Sequence, residues 1–157
     1  MSASRMKIED FKRLAPAAYA ALGALTRAAS ESGLEAGLLE LVKIRASQIN
    51  GCAYCLHYHL GLARRHDVPQ EQLDLVAGWR EAPNFSARER AALTWTEALT
   101  RLTDGEVPEA AYAAAAAQFS EAELASLSAA IGLINAWNRI GIGFRFLPAL
   151  ATAQVRA

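Results

Sequence analysis

The sequence is poor in the features that would assign it to several large classes of protein. It has two cysteines among 157 residues, and its 16 basic and 16 acidic side chains leave no formal net charge. A neutral chain attracts neither a phosphate backbone nor an anionic lipid surface, so we expect no nucleic acid partner and no membrane partner. Its longest small apolar run, residues 110–117, falls far short of the ~18 residues that a membrane crossing needs.

We also expect neither an export signal nor a structural disulfide. Acidic residues stand early in the sequence, where a secretory signal would carry its apolar region, and this predicts a cytoplasmic protein. In a reducing cytosol a pair of cysteines is seldom a structural disulfide, and a Cys-x-x-Cys pair is more often redox-active or metal-binding. The chain is long enough to bury a core without any covalent staple.

Strand-like alternation is missing, and turn signals divide the chain into segments with helical spacing, which predicts an all-α fold. We expect one helical domain, a bundle over residues 1–157, because no linker, repeat or change of composition divides it. Capping boxes at Ser86 with Glu89 and at Ser120 with Glu123 mark two helix starts. Further helices are predicted at 16–30, 35–50 and 52–66, after Pro69 and Pro108, and from Ser120 to a point before Pro148, with Gly51 ending the second of them.

The segment INGCAYCLHYHLG, residues 49–61, contains both cysteines. On a helix, Cys52, Cys55 and His59 share one face, so their side chains can meet. The free N–H groups of the first helical turn favour a thiolate, and His59 lies one turn beyond Cys55, where it can take the thiol proton. A thiolate with a second sulfur in reach can reduce a peroxide and then close a disulfide. It could also exchange disulfides, although thioredoxin-like proteins use a βαβ context that is missing here.

The stretch ELVKIRASQINGCAYCLHYH strongly resembles the core of the AhpD-like alkylhydroperoxidases, within the carboxymuconolactone decarboxylase family. The resemblance extends over about residues 35–146, because FSEAELASLSAAIGLINAWNRIGIGFR is similar to the family's C-terminal helix. It implies an AhpD-like helical bundle and a peroxidase, acting on organic hydroperoxides, that needs no cofactor and no metal. It also implies a dithiol or protein reductant and a homotrimer or homohexamer.

The resemblance gives four residues a role. Cys55 would attack the peroxide, Cys52 would resolve the product as a disulfide, His59 would act as the base, and Glu40 would orient or charge His59. Glu40 is compatible with this only if Gly51 turns the chain, because in one straight helix it would lie ~18 Å from Cys52. In an antiparallel pair Glu40 comes level with His59, with an axial offset that a water could span.

One position departs from the best-known pattern. The enzyme that gives the AhpD-like group its name has a further relay histidine between its cysteines, where this chain has Tyr54. His57 does not replace it, since it points to another side of the helix. We expect the replacement of this histidine by Tyr54 to affect the catalytic efficiency and the choice of reductant.

Three alternatives remain open from the sequence. The first is the lactone decarboxylase chemistry of the same family, which does not need paired thiols. The second is a redox sensor without enzymatic activity. The third is a zinc module with ligands from Cys52, Cys55 and His59 and a fourth from Glu40 or His57, although structural zinc usually takes two separated ligand pairs.

Overall fold

The computed structural model describes residues 3–149, apart from the side chain of Asp104. Within that range the chain is all-α and has no strand, as predicted. The prediction of one domain over 1–157 reaches beyond the described residues and stays a prediction. The helices are α1 (Ile8–Leu14), α2 (Pro16–Ser30), α3 (Ala36–Asn50), α4 (Ala53–Arg65), α5 (Gln70–Leu75), α6 (Ala87–Thr100), α7 (Glu109–Ala116) and α8 (Glu121–Phe144), with 3-10 turns at Val76–Gly78 and Leu102–Asp104.

Both predicted capping boxes are present. The Ser86 hydroxyl accepts from the Glu89 N–H at 3.2 Å, and the Glu89 carboxylate accepts from the Ser86 N–H at 2.7 Å. Ser120 and Glu123 repeat the arrangement at 3.3 and 2.8 Å. Each box satisfies two helix-end donors that would otherwise lack partners, which is why the starts of α6 and α8 follow from the sequence.

Helix α3 lies at the centre of the fold and packs against α4, α6 and α8. Most of its side chains are buried, including the charged Glu40 and Lys43. At its end Gly51 takes a left-handed conformation with φ of 73°, which glycine adopts without steric cost, and the chain turns back into α4. The predicted antiparallel pair is therefore confirmed.

The apolar interior has three parts. The largest joins α3, α6, α7 and α8 around side chains such as Val42, Leu127 and Ile131. A second lies where α3, α4, α5 and α6 meet, around Ile44, Leu93 and Trp79. The third and smallest consists of Ala46, Cys52, Cys55 and Ile134, with Tyr54 and Trp137 packed against it, so the two cysteines have a small apolar cluster of their own.

An additional helix, α1, was not predicted from the sequence. It is only seven residues long and no side chain caps its start, so it lacks the signals that mark the longer helices. The segment before it is tied to the end of α8, because the N–H groups of Arg5 and Met6 donate to the carbonyl of Phe144 at 3.0 and 3.3 Å. The Phe11 ring of α1 lies within 6.1 to 6.3 Å of the rings of Trp137, Phe144 and Phe146.

None of the helices between residues 3 and 149 has both the length and the apolar character to cross a bilayer.

Candidate active site

The two cysteines stand at the junction between the Gly51 turn and α4. Cys52 is the N-cap of α4 rather than its first helical residue, and its sulfur accepts the backbone N–H of Cys55 at 3.3 Å. The Cα atoms are 5.3 Å apart and the sulfurs are joined as a disulfide. Both residues are buried, at 2% and 4% exposure. The sequence prediction that these sulfurs can meet is confirmed, although Cys52 reaches Cys55 from the cap position.

Helix α8 packs directly against the sulfur atoms at Gly141. A Cβ atom at this position would lie 3.3 Å from the Cys52 sulfur, 3.6 Å from the Cys55 sulfur and 3.8 Å from the ring of Phe146. The first distance is tighter than ordinary packing, so a larger residue would displace the sulfur or the helix. This packing of Gly141 against the cysteines was not predicted from the sequence.

Glu40 and His59 meet directly. His59 Nδ1 lies 2.7 Å from one carboxylate oxygen of Glu40, and Lys43 donates to the other oxygen at 2.7 Å. No bridging water is needed to bring Glu40 to His59. Burial raises the pKa of Glu40, but the hydrogen bond and charge of His59, together with those of Lys43, outweigh it and hold this pKa below its usual range. The carboxylate therefore stays charged between its two partners.

A cavity of about 310 Å³ lies beside this group, between α1, α2, α3, α4 and α8. Cys55, His59 and Lys43 line it, whereas Cys52 does not line it within the described residues. The rest of the wall is largely apolar or aromatic and consists of Ile8, Tyr19, Gly23, Thr26, Tyr54, Tyr58, Leu62, Leu133, Ile134 and Trp137. Of the two cysteines, it is Cys55 that borders space that a small molecule could occupy.

Tyr54 stands where the named enzyme of the AhpD-like group has its further histidine. Its ring packs on Phe146 with centroids 5.4 Å apart, and it lines the cavity. Burial raises the pKa of the Tyr54 hydroxyl, with added contributions from the charges of Tyr58 and Glu9, so the phenol keeps its proton near neutrality. His57 is exposed, which agrees with the prediction that it points to another side of the helix than the cysteines.

A buried set of amide side chains holds the turn against α8. The Asn50 side-chain N–H groups donate to the oxygens of Asn135 and Asn138 at 2.9 and 2.8 Å, and Asn138 donates to the Ser47 hydroxyl at 3.0 Å. The Ser47 carbonyl in turn accepts the N–H of Cys52 at 3.0 Å. These contacts were not predicted from the sequence, because nothing in the spacing of residues 50 and 138 indicates that they meet.

Within residues 3–149, no group of three or more His, Cys, Asp or Glu side chains is arranged to hold a metal ion. The zinc alternative therefore gains no support from the geometry, in which the two sulfurs are bonded to each other.

Comparison with known proteins identifies the family. The sequence pattern of the carboxymuconolactone decarboxylase family matches residues 14–98. The uncharacterized protein YdfG of Bacillus subtilis is 30% identical over 133 residues, which cover 85% of this chain and 90% of YdfG.

Solved structures share the fold. One of them is a protein of unknown function from Agrobacterium tumefaciens, for which a role as the antioxidant defence protein AhpD has been suggested. It superposes with a TM-score of 0.89 and is 36% identical, over 95% of this chain and 100% of its own. The debrominase Bmp8 has a TM-score of 0.77 at 19% identity, over 85% of this chain and 71% of its own, a likeness of fold alone. The chain therefore belongs to the carboxymuconolactone decarboxylase family and has the AhpD-like helical fold.

Proposed function

We propose that this protein is a thiol-dependent peroxidase that reduces organic hydroperoxides through Cys55 and Cys52. The observation that carries the proposal is the position of Cys55, which is within bonding distance of Cys52 and borders a cavity whose wall also holds His59. Glu40 fixes the orientation of His59 from behind. A reactive sulfur, a base and a resolving sulfur are the three groups that this chemistry requires.

The reaction follows from these positions. His59 takes the proton of the Cys55 thiol, and the thiolate attacks the outer oxygen of the hydroperoxide. The O–O bond breaks, Cys55 becomes a sulfenic acid, and the remaining oxygen leaves with the organic group and takes up a proton to give an alcohol. The Cys52 thiol then attacks the Cys55 sulfur, which forms the disulfide and releases water. An external dithiol or protein thiol reduces the disulfide and completes the cycle.

The cavity supports an organic hydroperoxide as substrate. Its volume of about 310 Å³ is at the lower end of small-molecule sites, and most of its wall is apolar. A compact hydroperoxide with an aryl or branched alkyl group would bury apolar surface there, which hydrogen peroxide cannot do. The proposal includes a cytoplasmic location, no cofactor, no metal and no nucleic acid or membrane partner.

The same-family alternative is a lactone decarboxylase. That chemistry makes no use of paired thiols, whereas here the two sulfurs are bonded to each other at the start of α4. The disulfide-forming pair supports the peroxidase.

A titration of the reduced protein tests the proposal. One equivalent of cumene hydroperoxide should remove two titratable thiols per chain, and mass spectrometry should locate the new disulfide between positions 52 and 55. Hydrogen peroxide serves as the comparison and should react more slowly. Thiols that survive the titration would contradict the peroxidase, and zinc bound in stoichiometric amount to the reduced protein would favour the metal-binding alternative instead.

A further inference from the structure

Lys43 has binding capacity that the four-residue site does not use. Its side chain is buried, with the residue 9% exposed, and it lines the cavity. An ammonium group has three N–H donors, and within the described residues the hydrogen bond that Lys43 makes goes to Glu40. Two N–H donors are therefore left beside a largely apolar cavity, where an unpaired donor is costly unless a ligand or water accepts it.

The packing of α3 against α4 places Lys43 level with the reactive sulfur. The Cys52 N–H donates to the Ser47 carbonyl, and Glu40 meets His59. These contacts fix the antiparallel register, in which each step toward the turn along α3 is matched by one step along α4. Three residues on from Glu40, Lys43 comes level with Leu56, the neighbour of Cys55 in sequence, and Lys43 and Cys55 both line the cavity.

The proposed reaction creates a need for such a donor. When the O–O bond breaks, its electron pair goes to the oxygen that carries the organic group, and that oxygen becomes a strongly basic alkoxide. An isolated anion of this kind is very unfavourable in an apolar cavity. His59 Nδ1 faces Glu40, which leaves Nε2 for proton exchange with the Cys55 thiol.

We propose that Lys43 is a catalytic residue that donates a proton to the leaving oxygen, a role that rests on the proposed peroxidase function. Lys43 gives its proton to the alkoxide, which leaves as a neutral alcohol. It then regains a proton from solvent, while His59 releases the one it took from Cys55. Before the attack, the charges of Glu40 and Lys43 cancel, as do those of the thiolate and the imidazolium, so the site takes a hydroperoxide that is itself uncharged.

A matched pair of peroxides tests this role. Cumene hydroperoxide and peroxybenzoic acid are similar in size, but the second expels benzoate, a weak base that needs no proton. In Lys43→Met, the second-order rate of Cys55 oxidation should fall ~100-fold or more with cumene hydroperoxide and less than ~10-fold with peroxybenzoic acid, as expected for loss of a general acid. The ratio of the two rates is independent of how much thiolate the variant contains. Lys43→Arg should restore part of the cumene hydroperoxide rate.

Controls separate the possible results. Lys7→Met removes an exposed lysine outside the cavity and should change neither rate. Equal losses with both peroxides in Lys43→Met would overturn the role, and so would a selective loss in Tyr54→Phe instead. If Lys43→Met does not fold, the wild type alone can test the role. The ratio of its oxidation rate with peroxybenzoic acid to that with cumene hydroperoxide should be much smaller than the same ratio for free cysteine thiolate. Equal ratios would contradict the role. Failure of both peroxides to oxidise the wild type would instead remove the proposed function itself.

Discussion

At the residue scale, Cys52 has two structural tasks. Its sulfur accepts the N–H of Cys55 and so caps α4, and the same sulfur forms the disulfide. The Cys-x-x-Cys spacing thus satisfies a helix start and a redox pair together, because the N-cap side chain normally reaches the N–H two or three residues on. The sequence predicted that these sulfurs meet, but not the cap.

Replacing each cysteine separately should divide the reaction into its two steps. Cys55→Ser should abolish peroxide consumption, because it removes the sulfur that borders the cavity. Cys52→Ser should still consume one equivalent and stop at a sulfenic acid, which a sulfenic-acid trap followed by mass spectrometry would detect. A first-step rate in Cys55→Ser equal to that of the wild type would reverse the assignment of the two sulfurs.

Gly141→Ala should destabilise the oxidised protein. The new methyl group would lie 3.3 Å from the Cys52 sulfur, and overpacking of this kind costs about 1–3 kcal/mol. Gly132→Ala on the same helix is a matched control, because its Cβ would meet nothing within 4 Å. Alanine at that position should stabilise α8 by about 0.5–1 kcal/mol. Urea unfolding without reductant measures both, and equal stabilisation of the two variants would show that the sulfurs yield to the methyl group.

At the element scale, the sequence predicted best where a helix end has its own chemistry. The capping boxes of α6 and α8 and the Gly51 turn depend on residues a few positions apart, and all three are confirmed. Contacts between distant elements had no such signal. Asn50 meets Asn138 across 88 positions, and Arg45 meets Glu97 across 52, so neither could be read from local spacing. The contact between Glu40 and His59 is intermediate in predictability. The two residues lie on different helices, but the single turn at Gly51 fixes how those helices align.

The buried carboxylate of Glu97 connects three elements. It accepts hydrogen bonds from Arg45 of α3 and from Arg101 at the end of α6. It also accepts from Trp79 and Arg80, which follow the 3-10 turn. Burial raises the pKa of Glu97, but the hydrogen bonds from Trp79, Arg80 and Arg45 and the charge of Arg45 outweigh it and lower the pKa. A carboxyl group with a lowered pKa in the folded state contributes stability above its unfolded pKa, and this contribution is lost as pH falls through the folded value.

Glu97→Gln should therefore lower the free energy of unfolding by about 3 kcal/mol at neutral pH, because Arg45 loses its buried partner. The difference from the wild type should begin to shrink below pH ~4.3, the usual carboxyl pKa, and should vanish below the lowered pKa. Glu81→Gln, at an exposed position, should stay within about 0.5 kcal/mol. Chemical denaturation at several pH values measures this, and a difference that is constant with pH would show that the Glu97 charge is not the cause.

At the scale of the whole molecule, the fold class could be predicted because helical spacing and the absence of alternation extend along the entire chain. The cavity could not, since its wall combines residues from α1, α2, α3, α4 and α8 that are far apart in sequence. On helix α8, Ile142 is 44% exposed. Tyr58, at 54% exposure, borders the cavity.

The assembly remains a prediction, which solution mass can check. A chain of 16.9 kDa should elute as a closed homotrimer or homohexamer, with a mass three or six times that value by light scattering. The measurement should be made on both the oxidised and the reduced protein, at concentrations below 1 μM as well as above. A mass of one chain under all conditions would contradict the prediction.

The placement of Cys55 at the cavity, which Cys52 does not line within the described residues, has a kinetic consequence. In the proposed reaction, the hydroperoxide and the reducing thiol both react at Cys55, which lines the cavity. The alcohol must therefore leave the cavity before the disulfide can be reduced. The two half-reactions should alternate strictly, giving parallel lines in double-reciprocal plots. Bulky alcohols that dissociate slowly from the cavity should slow the reduction of the disulfide rather than the attack on the next peroxide.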